Sequence, residues 1–518
     1  MKAFLMYRDR DFDVDADPPP GATALTQDLG LDTLFGAMAA GDRFLFGVAR
    51  SAVLASLDAP DAIRYRQQLL ADCVAQPEVA REIYAIAAEA TEAEKRAHFY
   101  WGRFPDTLLS QSIEVLELLV SSLKRLRRVA DAHARDVRSE GFGRLFSMLA
   151  TELDDAYLGT IEDHLQRLRF RDGILMTAQL GAGNRGTQYV LRKPRATRRS
   201  WRERIGLWDH SGYVYQIADR DESGIAALGE LKGRGISLAA IALAQSVEHI
   251  LSFFGLLRSE MGFYVGCLNL RETLTARAYP VCVPEPFPTG SAVLAGRGLY
   301  DVCLALRGED RVVPNDLDAD ARTLVMITGA NGGGKSTFLR GIGLAQLMMQ
   351  CGMFVTAESF RADVRHGTFT HFKREEDASL RSGKLDEELS RMSSIVDAIS
   401  PTSLVLFNES FASTNEREGS EIARQIIRAM LEAGIKACVV THMFDLAQGF
   451  HLQEAATALF LRAERMADGQ RTFRLVAGEP LPTSYGQDLY QKIFGGATET
   501  AAVPATADGA WRGGPGGR

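Results

Sequence analysis

Two hydrophobic patterns divide this chain of 518 residues. Between residues 26 and 280, apolar side chains recur every three or four positions, which is the spacing that gathers them on one face of a helix. The pattern predicts long amphipathic helices over 113–129 and 142–168, and a later helical pair over 236–259 and 262–275. This half of the chain is therefore predicted to be mainly helical.

An alternating pattern interrupts the helical half at 171–220. The segments ILMTAQL (174–180) and TQYVLRK (187–193) predict a β-hairpin, and GYVYQIA (212–218) predicts another strand. The glycines of the hairpin turn, at 181, 183 and 186, spell the dinucleotide fingerprint G-x-G-x-x-G. That fingerprint must open a helix, and a strand-like segment follows here, so a hairpin turn is the favoured interpretation.

A third pattern begins after four prolines at 280, 284, 286 and 288, which mark a domain boundary. Almost continuously apolar strands, LVMIT (324–328), SLVLF (403–407) and KACVVT (436–441), alternate with helices. This order predicts a mostly parallel sheet covered on both faces. The fold class is thus multidomain, α plus α/β. We divide it into an extension (1–25), a helical domain (26–280) with its insert, a P-loop domain (290–496) and a disordered tail (497–518).

Composition narrows the environment of the protein. A net charge of −7 gives no overall attraction to nucleic acid, so any such contact must come from a local basic patch. Six scattered cysteines without a C-x-x-C pair argue against a zinc site or a disulfide framework. The N-terminus has no apolar signal core, and the apolar stretch Ile236–Leu257 contains polar residues, which favours a core helix over a membrane span. We expect a cytoplasmic protein.

The strand LVMIT runs into GANGGGKS (329–336), which matches G-x-x-x-x-G-K-[ST], the phosphate-binding loop of nucleotide hydrolases. Glycines such as Gly329 and Gly334 let the backbone N–H groups face the phosphates. Lys335 is expected to reach the β- and γ-phosphates, and the Ser336 hydroxyl to bind Mg²⁺. A helix follows, and its N-terminal dipole also favours an anion.

Two further strand ends supply candidate catalytic residues. SLVLF ends at Asn408 and Glu409, where P-loop ATPases place acids that hold Mg²⁺ and activate water. Glu409 has the position of the water-activating base, whereas Asn408 stands where Asp is expected and brings no charge. KACVVT ends at His442, in position to sense the γ-phosphate. The alternatives are a solvated carboxylate and a structural histidine.

Between 312 and 490 these motifs and their neighbours resemble the MutS family of DNA mismatch-repair ATPases. The resemblance is carried by VVPNDL (312–317), ITGANGGGKSTFLR (327–340), CGMFVTAES (351–359), EDASLRSGKLDEEL (376–389), LVLFNESFASTNEREG (404–419), THMFDL (441–446) and SYG (484–486). It implies bound ATP and Mg²⁺, with Asn331, Gly332, Gly333 and Thr337 among the nucleotide-binding residues. It also implies a homodimer in which Ser382 and Gly383 complete the partner's nucleotide site.

The chain departs from the family pattern in several places. Asn408 replaces the metal-site Asp, and the loop over 410–415 keeps only Thr414 in register. The position of the adenine-stacking aromatic falls on Val312, so Phe460 is the aromatic expected to contribute from the other side. The chain begins close to the helical core, which leaves no room in it for the mismatch-reading and connector domains. We therefore do not expect mismatch recognition by the usual mechanism.

One segment concentrates positive charge after the hairpin, where the resemblance places a DNA clamp. Its basic residues are Arg192, Lys193, Arg195, Arg198, Arg199, Arg202 and Arg204, with Trp201 among them. They fit contacts to phosphates without base readout, and the alternative is a solvated basic loop. A second cluster at 124–128 is interpreted as a solvated helix face.

Together these observations predict a dimeric MutS-like ATPase that couples ATP binding and hydrolysis to clamping of mismatched, branched or duplex DNA in repair or recombination. Two alternatives remain open. One is a nucleotide-dependent switch with weak hydrolysis, which the neutral Asn408 would explain. The other is an ATPase associated with structured RNA or the ribosome.

Overall fold

The structure is a computed structural model that describes residues 1–98, 104–171, 173–184, 186–193, 216–218, 220–308, 311–374, 383–466 and 471–482. The α-helices are α1 Ala22–Leu29, α2 Leu31–Ala39, α3 Arg43–Leu54, α4 Pro60–Ala75, α5 Pro77–His98, α6 Pro105–His133, α7 Glu140–Glu152, α8 Asp155–Leu168, α9 Glu222–Ala276, α10 Val302–Arg307, α11 Lys335–Gln350, α12 Lys384–Ala398, α13 Glu416–Glu432 and α14 Phe444–Glu454. The β-strands are β1 Met176–Leu180, β2 Gly186–Leu191, β3 Glu285–Phe287, β4 Leu294–Leu299, β5 Asn315–Asp318, β6 Leu324–Thr328, β7 Ser359–Asp363, β8 Thr368–Phe372, β9 Leu404–Asn408, β10 Lys436–Val440, β11 Ala458–Arg465 and β12 Arg471–Ala477.

The chain forms two compact units, each assembled from separate segments of sequence. The helical unit comprises Met1–Pro19, Leu31–Pro286 and Leu347–Val355, and the sheet unit comprises Pro20–Gly30, Phe287–Gln346 and Thr356–Arg518. The passage between Pro286 and Phe287 falls inside the proline-rich boundary that the sequence predicts. The segment at 20–30 belongs to the sheet unit, where α1 packs against β8. The predicted extension over 1–25 is thus divided between the two units.

Helix α9 is the central element of the helical unit and packs along α5 and α6. It is a single helix of 55 residues, so the prediction of separate helices over 236–259 and 262–275 is wrong. Gly262 does not end the helix. A Cβ built on Gly262 would lie 3.2 Å from the Leu45 side chain, so the glycine allows α3 to pack closely against α9.

By length and composition, α9 is also the one helix in the described residues that is apolar enough to cross a membrane. Its C-terminal half carries Phe253, Phe254 and Leu257, all of which are buried within the helical unit. In its N-terminal half Leu238 is 80% exposed. Burial of large apolar side chains along one half is what a core helix requires.

The periodic stretch over 142–168 is two helices rather than the predicted one. Helix α7 ends at Glu152, and α8 starts after Asp154, whose side chain accepts a hydrogen bond from the Tyr157 backbone N–H at 2.6 Å. Asp is a favoured N-cap because it satisfies an N–H group that has no partner inside the helix. The cap restarts the helix without changing the apolar period.

The predicted hairpin is confirmed, since β1 and β2 pair in antiparallel fashion. Gly183 in the turn has a φ of 72°, a left-handed conformation that suits glycine. A strand follows the turn, so the dinucleotide fingerprint is rejected as expected. The strand predicted over 212–218 does not form at 216–218, and its first residues lie outside the described ranges.

The sheet unit contains a six-stranded sheet in the order β12-β11-β6-β10-β9-β8. All neighbouring pairs are parallel except β11 with β12, which confirms the predicted, mostly parallel sheet. Strands β6 and β10 are buried along their whole length, as their continuous apolar sequences require. Residues of these strands and of α13 and α14 form one apolar core.

A second, four-stranded sheet in the order β3-β7-β4-β5 was not predicted from the pattern. Its strand β4 pairs in antiparallel fashion with both β5 and β7. Gly296 and Gly298 interrupt the apolar sequence of β4, which hides it from a search for apolar runs. The sheet positions β5 and the connection before it, which both reach the candidate site.

Candidate functional site

The phosphate loop connects the buried strand β6 to α11, in the order that the motif requires. Gly329, Gly332 and Gly334 have φ angles of 111°, 69° and 89°, which L-residues with a Cβ rarely adopt. A Cβ on Gly329 would also lie 2.9 Å from the Ala463 backbone nitrogen, and one on Gly333 would lie 2.7 Å from the Ala463 Cβ. The glycines thus serve both the curl of the loop and its contact with β11.

Lys335 starts α11 and points back into the loop. Its ammonium donates to the carbonyl oxygens of Gly329 at 2.8 Å and Ala330 at 3.1 Å, and the residue is 4% exposed. Burial lowers the pKa of Lys335, and the nearby carboxylate of Glu409 opposes this effect. A buried cation held by weak, neutral acceptors is well placed to bind an anionic phosphate.

Ser336 lies on the first turn of α11 and contacts the end of β9. Its hydroxyl donates to Asn408 Oδ1 at 2.7 Å. The two oxygens are a hard, neutral donor pair of the kind Mg²⁺ accepts when phosphates and water complete its shell. The described residues hold no cluster of three or more His, Cys, Asp or Glu side chains able to bind a metal.

Glu409 follows β9 in a left-handed conformation, with φ 53°, and its backbone N–H donates to the Val440 carbonyl at 2.9 Å. The neighbouring His442 is the main cause that lowers the pKa of Glu409, while partial burial opposes it. The His442 Nδ1 atom lies 3.9 Å from Glu409 Oε1. Glu409 is thus a carboxylate at neutral pH, and the two predicted catalytic side chains are neighbours.

The loop after Glu409 is anchored beneath the site by a buried polar network. The His371 Nε2 atom lies 3.0 Å from the Glu388 carbonyl oxygen, so this nitrogen carries the proton. The other ring nitrogen lies 2.8 Å from Ser410 Oγ, and the ring stacks on Phe411. Burial lowers the pKa of His371 to about 4, so the ring is neutral. Ser413 ties the loop to α12 by donating to the Glu388 carboxylate at 3.0 Å.

A cavity of about 620 Å³ opens over the loop, which is within the range of small-ligand pockets. The predicted residues that line it are Asn331, Gly332, Gly334, Lys335, Ser336, Thr337 and Glu409. Val312 also lines it, at the predicted place of the adenine-stacking aromatic. Phe460 does not contribute an aromatic face there, because it is buried in the core. Its ring lies edge-on to that of His451, with 4.9 Å between the ring centroids.

Phe473 on β12 is the aromatic that sequence reasoning missed. It lines the cavity, is 48% exposed and has a φ of 57°. Asn315 fixes it through two hydrogen bonds, donating from Nδ2 to the Phe473 carbonyl at 3.1 Å and accepting from the Leu475 N–H at 2.7 Å. The two segments are 158 residues apart, and no spacing in the sequence joins them.

The remaining predicted residues lie partly beyond what the structure describes. Ser382 and the tripeptide at 484–486 are outside the described residues. Gly383 caps the N-terminus of α12, and a Cβ there would meet no atom within 4 Å. Its predicted contact with a partner's nucleotide stays a prediction.

Of the predicted nucleic-acid residues, Arg192 and Lys193 are described. Arg192 donates from Nε to Thr177 Oγ1 at 3.0 Å, across the hairpin. Lys193 is exposed. The others, Arg195, Arg198, Arg199 and Arg202, lie outside the described ranges, together with Trp201 and Arg204. The basic segment therefore begins at the base of an ordered hairpin.

The second basic cluster, on α6, is occupied by internal partners. Lys124 pairs with Glu162 at 2.6 Å, and Arg127 pairs with Asp131 at 2.8 Å. Arg125 contacts Glu89. These pairs neutralise the helix face, as the interpretation of a solvated face anticipates.

Two family models match the chain, in the order of its two halves. Residues 58–277 match the MutS2 N-terminal domain, and residues 325–495 match MutS domain V. The first match covers most of the predicted helical domain, and the second covers the phosphate loop, the ends of β9 and β10, and Phe473.

Curated relatives match over about a third of the chain. The DNA mismatch repair protein MutS of Syntrophomonas wolfei is 35% identical over 191 residues, which is 36% of this chain and 22% of that protein. The MutS of Thermus aquaticus is 33% identical over 178 residues, covering 34% and 22% of the two chains. The Endonuclease MutS2 of Thermus thermophilus is 32% identical over 161 residues, covering 30% and 21%. The chain spans about a fifth of the length of these relatives.

Proposed function

This chain belongs to the MutS family, and from that premise we propose that it is an ATPase that couples ATP binding and hydrolysis to the clamping of DNA. One observation carries the ATPase part. The loop with Lys335 and Ser336, the Asn408–Glu409 pair and His442 all lie at the carboxyl ends of β6, β9 and β10, which are neighbours in one sheet. In open α/β sheets, this edge is where ligands bind.

In this proposal the loop amides and Lys335 bind the β- and γ-phosphates of ATP. Mg²⁺ would be held by Ser336, with Asn408 as the neighbouring acceptor, and would neutralise phosphate charge. Glu409, which is ionised at neutral pH and whose pKa the neighbouring His442 lowers further, accepts a proton from the attacking water. His442 is positioned beside Glu409 and senses whether the γ-phosphate is present. Phe473 and Val312 face the adenine base of the nucleotide.

The neutral Asn408 favours a second candidate, a nucleotide-dependent switch with weak hydrolysis. An Asp at this position would bring a negative charge to the metal, and Asn brings only a carbonyl dipole. Both candidates bind ATP at the same site. They differ in whether Mg²⁺-dependent turnover is fast enough to drive the clamp.

The DNA part of the proposal is supported by the basic segment that starts at Arg192 and by the family. Phosphate contacts of this kind give affinity without sequence information. We expect a homodimer with composite nucleotide sites, to which Ser382 and Gly383 of each chain contribute, and we expect it in the cytoplasm.

A pair of variants tests the ATPase assignment. Lys335→Ala should abolish ATP binding, because it removes the cation that faces the phosphates. Glu409→Gln should keep ATP binding and lower turnover by about 100-fold or more, the usual contribution of a positioned base. Binding is measured by titration calorimetry, and turnover by phosphate release. The control is Glu432→Gln, an exposed acid at the end of α13. Hydrolysis at the wild-type rate by Glu409→Gln would show that another group activates water.

A second experiment tests the nucleic-acid assignment. Alanine at Arg195, Arg198 and Arg199 should weaken DNA binding and reduce the slope of log affinity against log salt by about 2–3, one counterion for each lost contact. Alanine at Lys124, Arg125 and Arg128 removes the same charge from α6 and should leave the slope unchanged. Duplex DNA, branched DNA and structured RNA compete in the same assay, with and without ATP. Preferential RNA binding would favour the RNA-associated alternative.

A further inference from the structure

The phosphate loop has a basic neighbour that the motif does not include. Arg471 is the first residue of β12, which pairs with β11 along the edge of the sheet. A Cβ built on Gly332 would lie 2.3 Å from an Nη atom of Arg471. The guanidinium therefore lies directly against the loop, on the side that β12 covers.

Strand β12 follows the loop over more than this one contact. A Cβ on Gly334 would lie 3.4 Å from the Phe473 carbonyl oxygen, and Phe473 lines the cavity. The hydrogen bonds of Asn315 fix the strand at Phe473 and Leu475. Arg471 is thus carried by a backbone that is anchored two residues further along.

In the described part of the chain, the positive charge beside the loop is not fully balanced by acidic side chains. Arg471 forms no ion pair with any acid in the ranges that the structure covers, although its charge acts on Lys335 and helps to lower the pKa of that lysine. Two cations converge on one glycine loop, and Glu409 is the carboxylate that acts on Lys335. An anion bound by the loop would relieve the repulsion between them.

We propose that Arg471 is a nucleotide-contacting residue that binds a phosphate of ATP or ADP from within the same chain. The inference rests on the proposed function, because it needs a nucleotide in the loop. It goes beyond the motif by assigning part of the phosphate affinity to β12, a strand that begins about 140 positions after the loop. A guanidinium is well suited to this role, because it offers several N–H donors in a fixed plane.

The test compares ATP and ADP affinity, measured by calorimetry with Mg²⁺, in wild-type protein and in Arg471→Ala, Arg471→Gln and Arg471→Lys. A lost charge-assisted hydrogen bond should weaken binding of at least one nucleotide about tenfold or more in the Ala and Gln variants. Arg471→Lys should recover part of the loss. Arg474→Ala, on an exposed position of the same strand, should change affinity less than twofold.

The outcomes separate this inference from the proposed function. Loss of affinity for ATP alone places the contact at the γ-phosphate. Loss of affinity for both nucleotides places it at the α- or β-phosphate. Either result supports the inference. Arg471→Gln keeps the aliphatic stem of the side chain and a polar end group, so it reports on loss of the guanidinium even where Arg471→Ala fails to fold. Wild-type binding with unchanged affinity in the Arg471 variants overturns the inference alone. Wild-type protein that binds neither nucleotide overturns the proposed function and this inference with it.

Discussion

The phosphate loop (Gly329–Gly334) and the N-terminal segment (Met1–Pro19) are both irregular stretches that the structure holds in one conformation, but by different means. The loop is shaped by its own residues, three of which are glycines with positive φ. The N-terminal segment is shaped by side chains from helices far away in sequence. A restraint that comes from the loop's own residues can be predicted from a short stretch of sequence. A restraint that comes from distant side chains cannot.

Buried polar groups of the helical unit fasten the N-terminal segment. The Glu260 carboxylate on α9 accepts from the backbone N–H groups of Leu5 at 2.6 Å and Phe12 at 3.2 Å. Arg66, which is fully buried, donates to the Met6 carbonyl at 2.8 Å, and Tyr264 donates to the Leu5 carbonyl at 2.6 Å. The segment supplies main-chain groups that satisfy these side chains, so it is part of the core rather than an appendage.

The largest effect is expected where the restraint is local. Gly329→Ala adds a Cβ at a φ of 111° and within 2.9 Å of the Ala463 backbone, and neither strain can relax without moving the loop. We expect ATP affinity, measured by calorimetry, to fall by about 100-fold or more, because several backbone N–H groups of the loop would no longer point at the phosphates. Gly47→Ala, at a helical position with no neighbour within 4 Å, is the matched control. Normal ATP binding by Gly329→Ala would mean that the loop is not fixed by its own conformation.

An effect of similar size is expected at the N-terminal segment, through pH. Burial raises the pKa of Glu260 from 4.5 to about 7. Between these pH values the folded protein binds a proton that the unfolded chain does not. The stability from this group is therefore complete below about pH 4.5 and is lost as pH rises to about 7, a change on the order of 3 kcal/mol.

Hydrogen exchange checks this pH dependence. Protection factors of the amides in residues 1–19 should fall between pH 5 and pH 8 in the wild type, because ionisation of Glu260 costs desolvation energy. Glu260→Gln cannot ionise, so its protection should vary much less with pH. Glu248→Gln, an exposed position on the same helix, should behave like the wild type. An equal fall in protection in Glu260→Gln would assign the effect to another group.

The same contrast explains what the sequence could predict. Strands β6, β9 and β10 were predicted because their apolar runs are continuous, and the residues at their ends follow from the motif. The hairpin was predicted from alternation and turn glycines. By contrast, Phe473 and Arg471 reach the loop only because β12 pairs with β11. The sequence of neither strand, taken alone, predicts that pairing.

Helical periodicity had a different weakness. It reports which face of a segment is apolar, but not where one helix ends. A break was predicted between 259 and 262, but these residues lie inside α9, where Gly262 permits close packing with Leu45. Asp154 was interpreted as part of a helix and starts a new one. Both depend on a neighbour or a cap that the apolar period does not register.

The smallest effect is expected at Asn408. This residue accepts a hydrogen bond from Ser336 at the end of the phosphate loop, 72 positions earlier in the chain. Asn408→Asp keeps an acceptor for the Ser336 hydroxyl and adds a negative charge beside the predicted metal position. We expect the Mg²⁺ concentration that gives half-maximal ATP hydrolysis to fall about three- to tenfold, because a charged oxygen binds a hard cation more strongly than an amide does. Asn415→Asp adds the same charge at the N-cap of α13 and should leave the magnesium dependence unchanged. If Asn408→Asp also raises the maximal rate, the natural chain is tuned toward a switch; if both quantities stay the same, the phosphates alone hold the metal and the role assigned to the end of β9 is wrong.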